Sequence, residues 1–106
     1  MALTNNALQD ADAQSIFTSA GTHGDIVTVM YLCNTDVTYQ TANVFLVGSG
    51  DAADPALNII YSNVSISAGD TLVIDMEKIV LATGDSVQAN CSANNVVIAT
   101  VSSLAV

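Results

Sequence analysis

Turn-forming residues interrupt this chain at short, regular intervals, and the segments between them are rich in Val, Ile and Thr and too short for stable helices. The breaks are Ala20-Gly21-Thr22-His23-Gly24, Asn34-Thr35-Asp36, Gly48-Ser49-Gly50-Asp51, Ser67-Ala68-Gly69-Asp70, Thr83-Gly84-Asp85 and Ala93-Asn94-Asn95. Gly accepts positive φ and Asp bonds its own downstream amides, so such clusters suit tight connections. Candidate strands lie between them, at about Ala13 to Ser19, Asp25 to Cys33, Thr41 to Val47, Leu57 to Ile66, Thr71 to Val80, Ser86 to Cys91 and Val96 to Leu104. About seven strands predict an all-β, antiparallel two-sheet sandwich.

Alternation assigns the faces. In the second candidate strand Ile26, Thr28, Met30 and Leu32 share one side, and Val27, Val29, Tyr31 and Cys33 the other. Both sides are largely apolar, which predicts a central strand covered twice. Asn63, Ser65 and Ser67 alternate with Val64, Ile66 and Ala68, the pattern of one solvated face. Along Thr71 to Val80, Leu72, Ile74 and Met76 oppose Val73, Asp75 and Glu77. The only Pro, Pro55, falls in the loop Gly48 to Ala56, where no ladder bond is lost.

The charge balance excludes several partners. Ten acidic residues face a single Lys and no Arg, for a formal charge of -9. Phosphate backbones and anionic headgroups are bound through clustered Lys and Arg, so neither nucleic acid nor a membrane surface is an expected partner. The longest strongly apolar run, Ile26 to Cys33, is strand-sized and far short of the ~20 residues of a membrane span. Ahead of it, MALTNNALQDADA carries two Asp and no cation, unlike a secretory signal, so the expected site of synthesis is a cytoplasm. Only 10% of the 106 residues are charged while 51% are hydrophobic, enough for one continuous core. Solubility then rests on Ser, Thr, Asn and Gln, or on much of the surface being covered by other subunits.

The expected organisation is an N-terminal arm over 1–12 and a single sandwich domain over 13–106. Leu3, Ala7, Leu8 and Ala11 make a weak helical stripe, too short to be stable alone. The segment reads as an arm ordered on a neighbouring subunit or as a frayed terminus.

Catalytic chemistry finds little support. His23, the sole His, stands in a Gly-flanked turn with no orienting partner in view, so no Ser or Cys triad is expected. Gly48-Ser49-Gly50 lacks the helix and Lys of a phosphate loop. Asp51 and Asp54 share a loop and could offer oxygens to a calcium ion, though their spacing is not that of an EF-hand and turn formation explains them. Paired carboxylates for glycoside hydrolysis want aromatic platforms, and the chain has no Trp and five aromatics. Lys78 can pair with Asp75 or Glu77, to small effect when exposed. No cofactor and no metal are expected. Cys33 and Cys91 end two candidate strands, as an immunoglobulin inter-sheet disulfide would, but no core Trp lies between them and Ala89 occupies the corner-tyrosine position. Free thiols are the expectation, with a disulfide the alternative.

Three stretches carry a family likeness. Val44-Phe45-Leu46-Val47-Gly48, Val64-Ser65-Ile66-Ser67-Ala68-Gly69-Asp70-Thr71-Leu72 and Leu81-Ala82-Thr83-Gly84-Asp85-Ser86-Val87, with the turn Cys33-Asn34-Thr35, resemble small virion structural proteins of tailed bacteriophages, marine and cyanobacterial ones especially. The likeness covers Asp25 to Val106. It implies an immunoglobulin-like or jelly-roll sandwich displayed in many copies on a capsid or tail, with no catalytic residues. The leading expectation is a non-enzymatic capsid decoration or cement protein of the virion, a homo-oligomer with a trimer favoured, bound to the major capsid protein and to copies of itself. Leu3 and Leu8 of the arm and Asp51, Asp54 and Pro55 of the loop are the candidate contacts. The alternative is a tail, neck or fibre-associated module that binds a receptor or carbohydrate.

Overall fold

The computed structural model describes residues 2–75 and 79–106. Among them are nine strands: β1 (Ala2–Ala7), β2 (Gln14–Thr18), β3 (Asp25–Asn34), β4 (Gln40–Val47), β5 (Ile59–Ile66), β6 (Thr71–Ile74), β7 (Ile79–Leu81), β8 (Ser86–Cys91) and β9 (Val97–Ala105). The fold is all-β, two antiparallel sheets packed as a sandwich. No helix of the described residues is long and apolar enough to cross a membrane.

The first sheet runs β1-β9-β3-β6, with β7 also on β3, and the second runs β2-β8-β4-β5. Each strand of the first half of the chain pairs antiparallel with one of the second: β1 with β9, β2 with β8, β3 with β6 and β7, β4 with β5. The chain is therefore one long ribbon doubled at the β4–β5 loop and rolled so that β1 to β4 alternate between the sheets, and β5, β6 with β7, β8 and β9 alternate on the return. That connectivity is a jelly roll, and it settles the choice of topology that alternation alone leaves open.

Nine strands stand where about seven are expected, for two reasons. The candidate strand from Thr71 is divided: β6 lies along Met30 to Cys33 and β7 along Asp25 to Val27 of the same neighbour. β3 carries a bulge between Val27 and Val29 in its pairing with β9. The expected pairing of Lys78 with Asp75 or Glu77 lies outside the described residues.

The second reason corrects the arm. Residues 2–7 form β1, in unbroken register with β9 from Ala2 opposite Ser103 to Ala7 opposite Ile98. The segment is neither a weak helix nor an appendage, because its Thr4 and Asn6 side chains reach across to β2: Thr4 Oγ1 and Asn6 Nδ2 both donate to the Ile16 carbonyl, at 2.9 and 3.2 Å. Those bonds lace one open side of the sandwich. Just past β1, Leu8 donates its amide to Val97 O at 2.8 Å and its side chain is fully buried.

The core lies between the sheets, with Leu8, Ile16, Val27, Met30, Leu32, Val44, Val87, Val97 and Val101 at its centre. The β3 bulge corrects the expected faces, since one extra residue shifts a period-2 pattern by one. Val27 faces inward, and beyond the bulge Met30, Leu32 and Asn34 do so; Ile26 shares the outer side with Val29, Tyr31 and Cys33. β3 is central as expected, but Tyr31 is 39% exposed, so that outer side is not covered within one chain. The polar alternation of β5 holds, with Asn63 and Ser65 exposed and Ile66 buried.

Candidate functional site

Seven of the loops gather at the two ends of the sandwich, and Asp75, which follows β6, stands apart from both. One end collects 8–13, 35–39, 67–70 and 92–96; the other collects 19–24, 48–58 and 82–85. The charges follow the loops. The strands carry one charged residue, Asp25, and it is buried at the first position of β3; Asp10, Asp12, Asp36, Asp51, Asp54, Asp70, Asp75 and Asp85 all stand between strands.

At the first end Asn34 is fully buried. Its Nδ2 donates to Thr38 O and Ile66 O, both at 2.9 Å, and its Oδ1 accepts the Asp36 amide at 2.9 Å. One amide group thus joins the β3–β4 turn to the end of β5, which explains an Asn after Cys33. Asp36 caps the same turn, and the Val37 amide, with Gln40 and Thr38, holds its carboxyl below the ordinary value against the cost of burial.

At the second end Asp25 accepts Ser19 Oγ at 2.7 Å and the amides of Ala20 and Gly21 at 3.2 and 3.4 Å. The Ser19 hydroxyl leads in holding this carboxyl below its ordinary value, burial opposes it, and the Gly21 and Ala20 amides assist. Asp85 takes the Ser49 amide on one oxygen and the Ala82 amide on the other, at 2.9 and 3.0 Å. These carboxylates close turns. His23 is exposed in the same cluster of loops.

The candidate contact loop is knitted by its own backbone. Asp51 donates its amide to Gly48 O at 3.0 Å, with Gly50 at φ +83° completing the turn. Asp54 and Asn58 clasp each other: the Asp54 amide donates to Asn58 Oδ1 at 2.8 Å, the Asn58 amide returns to Asp54 O at 3.0 Å, and Asp54 Oδ1 accepts the Ala56 amide at 2.9 Å. Asp51, Asp54 and Pro55 are all exposed. Among the described residues no three His, Cys, Asp or Glu side chains come together to hold a metal ion. The chemistry of Asp54 here is turn closure.

Between this loop and the second sheet runs an open groove of about 380 Å³, walled by Ala52, Ala53 and Pro55 on one side and by Asp12, Gln88 and Asn90 on the other, over Phe45. Sequence reading did not find it, because its walls come from four separate segments. Its amides are largely engaged: Asn90 accepts from Asn43 Nδ2 and donates to Ala11 O, both at 2.9 Å, and Gln88 donates to Ser86 Oγ at 3.2 Å. Phe45 is buried beneath the loop.

The remaining candidate contacts separate. Leu3 is 67% exposed on the outer side of β1, whereas Leu8 lies in the core and has no surface to offer a partner, a correction to its expected role. Both cysteines are free. Cys33 is half-buried on the outer side of β3, while Cys91 is buried in the second sheet with its thiol donating to Ala93 O, and burial pushes its pKa up.

The outer face of the first sheet gathers several exposed apolar side chains. Row by row it places Leu3 beside Ser102 and Val29, Asn5 beside Thr100, Tyr31 and Val73, and Leu104 beside Ile26 and Val80. None of these residues is charged, and Leu3, Tyr31, Val73, Val80 and Leu104 are exposed. Comparison with family models, curated proteins and solved structures finds no match to this chain.

Proposed function

We propose that this chain is a non-enzymatic structural protein of a tailed-phage virion, a decoration or cement protein that binds the major capsid lattice in many copies and packs against copies of itself, with a trimer favoured. The observation that carries the reading is the segregation of charge: eight described carboxylates stand between strands and no strand carries an exposed charge. A lattice component must bury wide surface against neighbours, and uncharged strands rich in Thr, Ser and Val can be desolvated at lower cost than charged ones. The carboxylates of Asp25, Asp36, Asp54, Asp70 and Asp85 accept hydrogen bonds from amides in or beside the turns. The likeness of the Gly-Asp turn motifs to phage virion proteins points the same way.

A second reading, a tail or fibre module that binds a receptor or carbohydrate, draws on the groove beside Asp12 and Pro55. Its engaged amides and buried Phe45 make it the weaker of the two.

The test is add-back. Purified protein mixed with phage capsids that lack it is expected to bind to saturation and to raise the temperature at which the genome is released. Capsids that take up none contradict the reading.

A further inference from the structure

We propose that the outer face of the β1-β9-β3-β6 sheet, with β7, is a self-association surface that docks against the same face of a second copy of this chain. The inference rests on the reading of a many-copy packing protein and replaces its favoured trimer with a twofold pair, because docking of one face on the same face of a second copy closes as a dimer.

Charge selects the occupant. On a chain of formal charge -9 the described residues of this face carry no charge, with Asp75 at its β6 margin. A cationic partner is drawn to the acidic ends and not to a face without charge. A second copy, by contrast, repels through its ends and meets no carboxylate when the two neutral faces oppose.

Composition agrees. Tyr31 stands at the middle, between Thr100 and Val73, with Leu3, Val80 and Leu104 around it. Several polar groups among them are already partnered within the sheet: Thr100 Oγ1 donates to Asn5 Oδ1 at 2.8 Å, and Thr28 Oγ1 to Ser102 at 3.1 Å. Covering them strands few donors, so burial of the apolar side chains is not cancelled by unsatisfied hydroxyls. The outer side of the second sheet lacks this character, since the loop lies over Phe45 and its surface carries Asn43, Gln88 and Asn90.

Size agrees as well. Four strands ~4.8 Å apart and about seven residues long at ~3.3 Å each project roughly 450 Å². That is of the same order as the roughly 800 Å² of accessible surface per partner in a stable interface, once side-chain relief is counted. Two such sheets face to face would stack about 10 Å apart about a twofold axis, so each residue meets the partner's equivalent patch.

Sedimentation velocity from low micromolar to high micromolar concentration tests this on the full chain. The unaltered protein is expected to self-associate; Tyr31→Glu weakens association by at least about 100-fold, because it places an unpaired charge in the buried patch. Val73→Glu does the same, which covers the case in which one variant fails to fold, and Val37→Glu, in an exposed loop, changes nothing. Mixing Tyr31→Glu with Tyr31→Lys restores association. A monomer at every concentration, or association unchanged in folded Tyr31→Glu and Val73→Glu, overturns the proposal. Association through this face by a chain absent from particles upholds the inference and removes the virion reading, and a monomer abundant in particles does the reverse.

Discussion

Asn34 ties the β3–β4 turn to the end of β5 from one buried side chain. Asn34→Ala leaves the Thr38 and Ile66 carbonyls without their donor and empties a buried site. The expected cost is about 2–3 kcal/mol, read as a lower denaturant midpoint with an unchanged slope. Gly24, at φ +89°, marks a position of another kind, since a Cβ there would collide with the Leu81 carbonyl. Gly24→Ala is expected to destabilise by more than about 1 kcal/mol, and a variant as stable as the parent would contradict that account of the turn. Asp25 adds a pH dependence. Its native pKa lies below the ordinary ~3.9, so its contribution is complete above that value and is lost as pH falls through the lower native one. In a series of melting temperatures from about pH 2 to 6, Asp25→Asn should melt lower at neutral pH and lose part of the fall on the acid side.

The strands were legible wherever period-2 alternation and a turn cluster met, as in β4, β8 and β9, whose expected bounds shift by no more than a residue. What escaped were features without a local signal. The β3 bulge inverts the sides of the residues beyond it, yet DIVTVMYLCN alternates as well in either register. The first strand, ALTNNA, is polar enough to resemble a terminus, and only its pairing with β9 and the Thr4 and Asn6 bonds to Ile16 O make it a strand. The groove likewise has no contiguous motif, while the acidic turns that define the loop ends were readable from Gly-Asp pairs. Because β1 is structural, deletion of residues 1–8 removes the pairing partner of β9 and the buried Leu8 together. The shortened chain is expected to be strongly destabilised, and Leu8→Ala alone by about 3 kcal/mol; a truncated chain that keeps its melting temperature would restore the arm.

At the scale of the whole molecule, carboxylates at the ends and neutral strands between them give a body that repels end to end and is free to pack side to side. Thiol chemistry reports on that body. Cys33 is half-buried on the exposed face and Cys91 is buried with a raised pKa, so a neutral alkylating reagent should modify Cys33 in the folded protein and Cys91 only on unfolding. Equal rates would contradict the placement of the two side chains. The central proposal, a virion packing protein present in many copies, is tested most directly by quantifying this chain against the major capsid protein in virus particles purified from its source. Hundreds of copies per particle, in fixed ratio to the capsid lattice, are expected; a few copies at one vertex, or none, would contradict it.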